Sequence, residues 1–130
     1  MTALDTNLVV RLLVNDDPRQ AARVVHLIQR ERVFLPKTVL LECEWVLRHA
    51  YGLDRGVILG AFEKLLGLDH LTVEDGAAVE QALAWYAQGL DLADALHLAS
   101  SQGASAFATF DLRLRRRARR LEAQPRVVAP

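Results

Sequence analysis

Short apolar runs alternate along this chain with longer segments of helical periodicity, and that alternation restricts the fold more than any other feature. MTALD, VFLP, LTVE, SAFATF and RVVA have strand length and are bounded by turn or cap residues. Between them, TNLVVRLLV, RQAARVVHLIQRE after Pro18, TVLLECEWVLRHAYGL and residues 54–67 predict helices. So do the stretch from Asp75 to Gln88, DLADALHLASSQG and LRLRRRARRL. The punctuation is readable: Thr6 or Asn7 to cap the first helix, Pro18 to open the second, Gly52 to close the third, Asp75 to cap the fifth and Gly103 to end the sixth. Short apolar strands separated by helices belong to a parallel sheet covered on both faces, so the expected class is α/β.

At 130 residues the chain has the size of one domain, with no repeat, linker or low-complexity tract, and a single domain over 1–130 is expected. Cys43 is its one cysteine, which excludes an intramolecular disulfide and a thiolate zinc cluster. No apolar run reaches the roughly 18 residues that span a bilayer, and MTALDT lacks a signal-like pattern. A soluble cytoplasmic protein with no membrane partner is the expectation. The 16 basic and 16 acidic residues cancel overall but are segregated. From Asp111 onward there are seven arginines and two acids, +5, against −5 in residues 1–110. That distribution leaves a nucleic-acid partner open.

The acids carry the chemistry. Asp16, Asp17, Asp54, Asp69 and Asp75 fall at turns and helix starts, where capping accounts for them. Five others lie in apolar context: Asp5 at the end of the first strand, Glu42 within TVLLECEWVL, Asp91 and Asp94 in LDLADALHLA, and Asp111 directly after AFATF. Asp5 and Asp111 thereby sit at carboxyl ends of parallel strands, where open α/β sheets place their sites. Asp91 and Asp94 lie three residues apart on one helix face. Gathered carboxylates repel and raise each other's pKa unless a cation neutralises them. The ion suited to an all-oxygen set is Mg²⁺ or Mn²⁺, which serves hydrolysis at phosphorus. Plain structural roles compete. Asp5 and Asp111 can cap the helices that follow them, Asp91 is placed as a helix N-cap, and spacing does not choose between Glu42 and Glu44. The arginine-rich segment can grip phosphates through Arg113, Arg116, Arg117 and Arg120, or be a solvated helix face with Leu112, Leu114 and Leu121 packing inward. Lys37 and Arg48 flank the Glu42 helix and are weaker contacts of the same kind.

The motif order LDTN, LLECEWVL, DLADALHLA and ATFD resembles the PIN-domain ribonucleases, and within them the VapC-type toxins of toxin–antitoxin pairs. The resemblance runs from Asp5 to beyond Asp111. It implies a three-layer α/β/α domain with a central, mostly parallel sheet of four to five short strands. It also implies Asp5, Glu42 (rather than Glu44), Asp94 and Asp111 as catalytic metal-holding acids, with Asp91 second to them and Thr6 and Asn7 as polar support. The activity implied is a Mg²⁺- or Mn²⁺-dependent endoribonuclease, a homodimer neutralised by a cognate VapB-like antitoxin. A haloacid-dehalogenase-like phosphohydrolase also begins with a strand-end Asp, but its chemistry wants an acid two residues on, where this chain has Asn7. A phospho-receiver domain lacks its acid pair and central Asp here. A catalytically silent RNA- or protein-binding PIN module is the remaining alternative.

Overall fold

The computed structural model describes residues 1–130, with seven helices and five strands. In chain order these are β1 (Thr2–Ala3), α1 (Thr6–Val14), α2 (Pro18–Arg30), β2 (Val33–Leu35), α3 (Lys37–His49), α4 (Arg55–Leu66), β3 (Leu71–Val73), α5 (Gly76–Ala87), α6 (Leu92–Ala99), β4 (Ala106–Ala108), α7 (Leu112–Arg120) and β5 (Arg126–Val128). All strand pairs are parallel, as a strand–helix alternation requires. The strands form two hydrogen-bonded groups, β1-β2-β3 and β4-β5, within two compact units, Met1–Gly76 and Ala77–Pro130.

In the first unit β1 lies beside β2 with Thr2 opposite Val33 and Ala3 opposite Phe34, and the Leu4 N–H donates to the Phe34 carbonyl at 2.9 Å. β2 continues onto β3, Val33 opposite Leu71 and Leu35 opposite Val73. Because β1 and β2 run parallel, their carboxyl ends share one edge, and α1 and α3 start from it. α1 packs against α2 and α3, while α4 packs against α3 and β3. Leu4, Val9, Val33, Leu35, Leu40, Leu47, Ile58 and Phe62 are fully buried and form the core of this unit. In the second unit β4 pairs with β5 from Ala106 opposite Arg126 to Ala108 opposite Val128, and α7 packs on β5. Val79, Ala82, Tyr86, Leu92, Ala95, Leu98, Leu114 and Ala118 are among its buried side chains.

Several boundaries differ from the sequence expectation, each for a local reason. Asp5, not Thr6 or Asn7, caps α1: its Oδ1 accepts from the Thr6 N–H at 2.8 Å, and Thr6 is already helical. α3 ends at His49 with Ala50 as its cap, and Gly52 lies beyond it at φ +64°, a left-handed conformation that turns the chain toward α4. Asp75 does not cap α5; its carboxylate pairs with Lys37 Nζ at 3.1 Å. α6 stops at Ala99, short of Gly103, and β4 stops at Ala108, short of Phe110. Trp85 and Tyr86 are buried, whereas Trp45 is 57% exposed and lies against the His49 ring at a centroid distance of 4.8 Å.

Glu44 is the one buried acid, 2% exposed, and Arg48 one turn along α3 meets it with Nε 2.9 Å from Oε2. Replacing Arg48 by Leu takes away a buried carboxylate's cation. It is expected to lower unfolding free energy by about 3 kcal/mol, the low end for breaking a buried pair, because 36% of the Arg48 side chain reaches water. Urea denaturation of the two proteins measures it, and an unchanged midpoint would show that Glu44 is held by other means.

Candidate active site

The edge where β1 and β2 end carries the first part of the acid set. Asp5 is the residue after the strand pairing closes, exposed, with one oxygen committed to the α1 cap. Glu42 stands on α3 facing solvent, and its Oε1 accepts a hydrogen bond from the Thr6 hydroxyl. Thr6 is buried, so the bond ties the start of α1 to the side of α3. One helical position on, the buried Cys43 thiol donates weakly to the Thr6 carbonyl at 3.9 Å. Burial, then the negative charges of Glu42 and Asp5, push that thiol up to about 12, so it stays protonated and unreactive. The two glutamates of α3 face different ways: Glu44 is turned inward onto Arg48, and Glu42 is exposed and bonded to Thr6.

The second unit carries the rest. Asp91 is the N-cap of α6, its carboxylate accepting from the Asp94 N–H at 3.4 Å, and Asp94 lies in the first turn. Asp111 caps α7, its Oδ1 accepting from the N–H groups of Arg113 at 2.9 Å and Leu114 at 3.1 Å. The Asp111 N–H in turn donates to the Thr109 hydroxyl at 3.1 Å, which fixes the residue just beyond β4. The Asp94 carboxyl is held above the usual carboxylate range, first by desolvation and then by the charges of Asp91 and Asp111; His97 and Arg117 act in the opposite direction.

None of Asp5, Glu42, Asp94 and Asp111 forms an ion pair with a basic side chain. Neither unit gathers three metal-ligating side chains around one point. What fits a metal is the chemistry of the donors: oxygen only and anionic, with Asp94 held above the usual carboxylate range by burial and by Asp91 and Asp111, an environment a hard divalent cation would relieve.

The basic residues divide by how they are engaged. Lys37 Nζ is paired with Asp75, and its backbone N–H donates to the Glu74 carboxylate at 3.0 Å; Arg48 is on Glu44. Both are committed within the fold. On α7, Arg113, Arg116 and Arg120 are exposed, while Arg117 donates to the Gly89 carbonyl at 3.3 Å. Leu114 packs inward and Leu121 is half-buried, but Leu112 is 48% exposed, contrary to the expected inward packing. Asn7 makes no bond to Asp5 or Glu42; it lines a cavity of about 750 Å³ that Leu8, Arg11 and residues of α2, among them Arg23, His26 and Arg30, complete. Arg23 and Arg30 escaped the sequence reading because α2 looks like an ordinary amphipathic helix. Their convergence depends on how α2 packs on α1.

Parallel strands alternating with helices, with carboxylates just beyond the strand ends, define an α/β domain whose site lies at that edge. The family comparison is specific. The PIN domain profile matches residues 2–120, and the chain belongs to the PIN domain family. Members of that family are in general metal-dependent nucleases, which places this chain among hydrolases acting on nucleic acid and sets aside the haloacid-dehalogenase-like alternative. A search of curated proteins finds no significant match. No helix is long and apolar enough to cross a membrane.

Two consequences can be measured. Thr6→Val removes the donor that orients Glu42 and should weaken divalent-metal binding about 10- to 100-fold, as loss of a partner behind a ligand does; isothermal titration with Mn²⁺ reads it, and unchanged affinity would separate Glu42 from metal binding. Asp94 binds its proton more readily folded than unfolded, so its ionisation opposes folding. That penalty is absent below the unfolded-state pKa, grows as pH rises toward the folded-state pKa, and is complete above it. Asp94→Asn should therefore melt higher than the parent at neutral pH without metal, with the gap closing toward acid pH. A gap independent of pH would contradict the assignment.

Proposed function

We propose that this protein is a Mg²⁺- or Mn²⁺-dependent endoribonuclease of the VapC type, the toxin of a toxin–antitoxin pair, in which Asp5, Glu42, Asp94 and Asp111 hold the ion. The observation that supports it best is that all four acids fall inside the matched family region and none is neutralised by a basic side chain. A bound divalent ion supplies a Lewis acid that lowers the pKa of water and offsets charge on the scissile phosphate.

The chain's own residues set the conditions for that chemistry. Thr6 holds one oxygen of Glu42, so the carboxylate keeps a single orientation. Asp5 and Asp111 each use one oxygen as a helix cap, which anchors both carboxyl groups to backbone. Asp91 supports Asp94 from the α6 cap and is a second-rank ligand. The exposed guanidinium groups of Arg113, Arg116 and Arg120 bind phosphates along the strand, and hydrolysis in line leaves 5′-phosphate and 3′-hydroxyl ends. In this reading residues 1–130 act as one nuclease domain, assemble as a homodimer, and are silenced by a VapB-like antitoxin.

Purified protein incubated with total RNA under Mg²⁺, Mn²⁺ or EDTA, beside Asp5→Asn, tests the proposal. Cleavage should be discrete, abolished by EDTA, and lowered on the order of a hundredfold or more in the variant, the worth of several kcal/mol of charge stabilisation. Folded protein that binds neither ion would overturn it. Binding without cleavage of any RNA would favour the silent PIN module.

A further inference from the structure

Phe110 is the most exposed large apolar residue of the chain, 88% exposed against 75% for Met1. It is exposed by construction. Thr109 is still tied to β5, its N–H donating to the Val128 carbonyl at 2.9 Å, and its hydroxyl accepts from the Asp111 N–H at 3.1 Å. Asp111 is held as the α7 cap. Both neighbours are therefore pinned, and the ring between them stands in solvent. Beside it, Leu112 is half exposed, and the first turns of α7 present Arg113 and Arg116 to solvent.

We infer that Phe110 is a stacking platform for an unpaired nucleobase of a single-stranded RNA substrate, with the guanidinium groups of Arg113 and Arg116 on the flanking phosphates. The inference rests on the nuclease reading above and adds to it a residue and a substrate form. An aromatic face presented beside guanidinium groups is the pairing by which single strands are bound: ring on base, cation on phosphate. A docked protein would call for a broader apolar surface than Phe110 and Leu112, which charged residues border on either side. A base inside a duplex has no free face to offer, so the platform selects RNA that is unpaired at this position. Adjacent to Asp111, the stacked base would be one flanking the scissile phosphate.

The test uses the full chain in EDTA and a fluorescein-labelled single-stranded oligouridylate of about ten nucleotides, within the span such surfaces cover, with an RNA hairpin stem as control. Phe110→Ala should weaken single-strand binding roughly 5- to 100-fold, the worth of one stacked base. Phe110→Leu should lose nearly as much, because it keeps apolar bulk without a π face, and Phe110→Trp should retain affinity. Hairpin binding should not change, and with Mg²⁺ the Ala variant should raise KM more than it lowers kcat. Melting temperatures should stay at the parent value, since the ring buries almost nothing. Equal single-strand binding by the parent and Phe110→Ala would overturn the platform and leave the nuclease reading standing. Full affinity in Phe110→Leu would overturn it in favour of a plain apolar anchor. A folded parent that binds neither RNA would overturn the platform, while the nuclease reading stands or falls on metal binding and cleavage.

Discussion

The hydrogen bond from Thr6 to Glu42 ties together the end of β1, the first turn of α1 and the flank of α3. Asp5 and Thr6 are consecutive, and they face different tasks. The acid closes the open N–H end of α1, and the hydroxyl reaches across to the neighbouring helix. Since α1 also packs on α2, the placement of the arginine-lined cavity follows from the same junction. A shift of α1 along its axis would move Asp5, release Glu42 and reshape that cavity at once. This coupling explains why so small a unit can hold two carboxylates near each other without an intervening cation.

The second unit solves the same electrostatic problem differently. Asp91, Asp94 and Asp111 are assigned to helix starts, where partly positive N–H groups favour negative charge. For Asp94 this relief is incomplete: burial and its two acidic neighbours outweigh it. A fold concerned only with stability would place an amide or an arginine there. Keeping a carboxylate whose burial and acidic neighbours outweigh the nearby His97 and Arg117 works against stability, as functional positions ordinarily do.

The legible part of the fold was the part written in local signals. Apolar runs bounded by caps located every helix and strand, and α2 starts at Pro18 behind Asp17 as N-terminal chemistry dictates. Endpoints were less readable, because they are decided by tertiary bonds: Asp75 is drawn to Lys37 instead of capping α5, and Phe110 is cut off from β4 by the Thr109–Asp111 turn. Among the acids, residue type and context singled out Asp5, Asp94 and Asp111. Glu42 against Glu44 was undecidable from spacing, since both lie in one apolar helix and only the positions of Arg48 and Thr6 distinguish inward from outward. Arg48 and Lys37 read as free cations and are engaged. Arg23 and Arg30 read as ordinary surface and converge on a cavity.

Cys43 has a practical consequence. It is the only thiol in the chain, fully buried, directly after Glu42 in sequence, and bonded to the carbonyl of the residue that orients that acid. Thiol reagents attack the thiolate, so the closed protein presents them with nothing to react with. Modification must wait for α3 to part from α1, and its rate then counts those openings. The protein thus carries an internal clock, set beside two of its acids, whose ticking would slow whenever something bound there holds the two helices together.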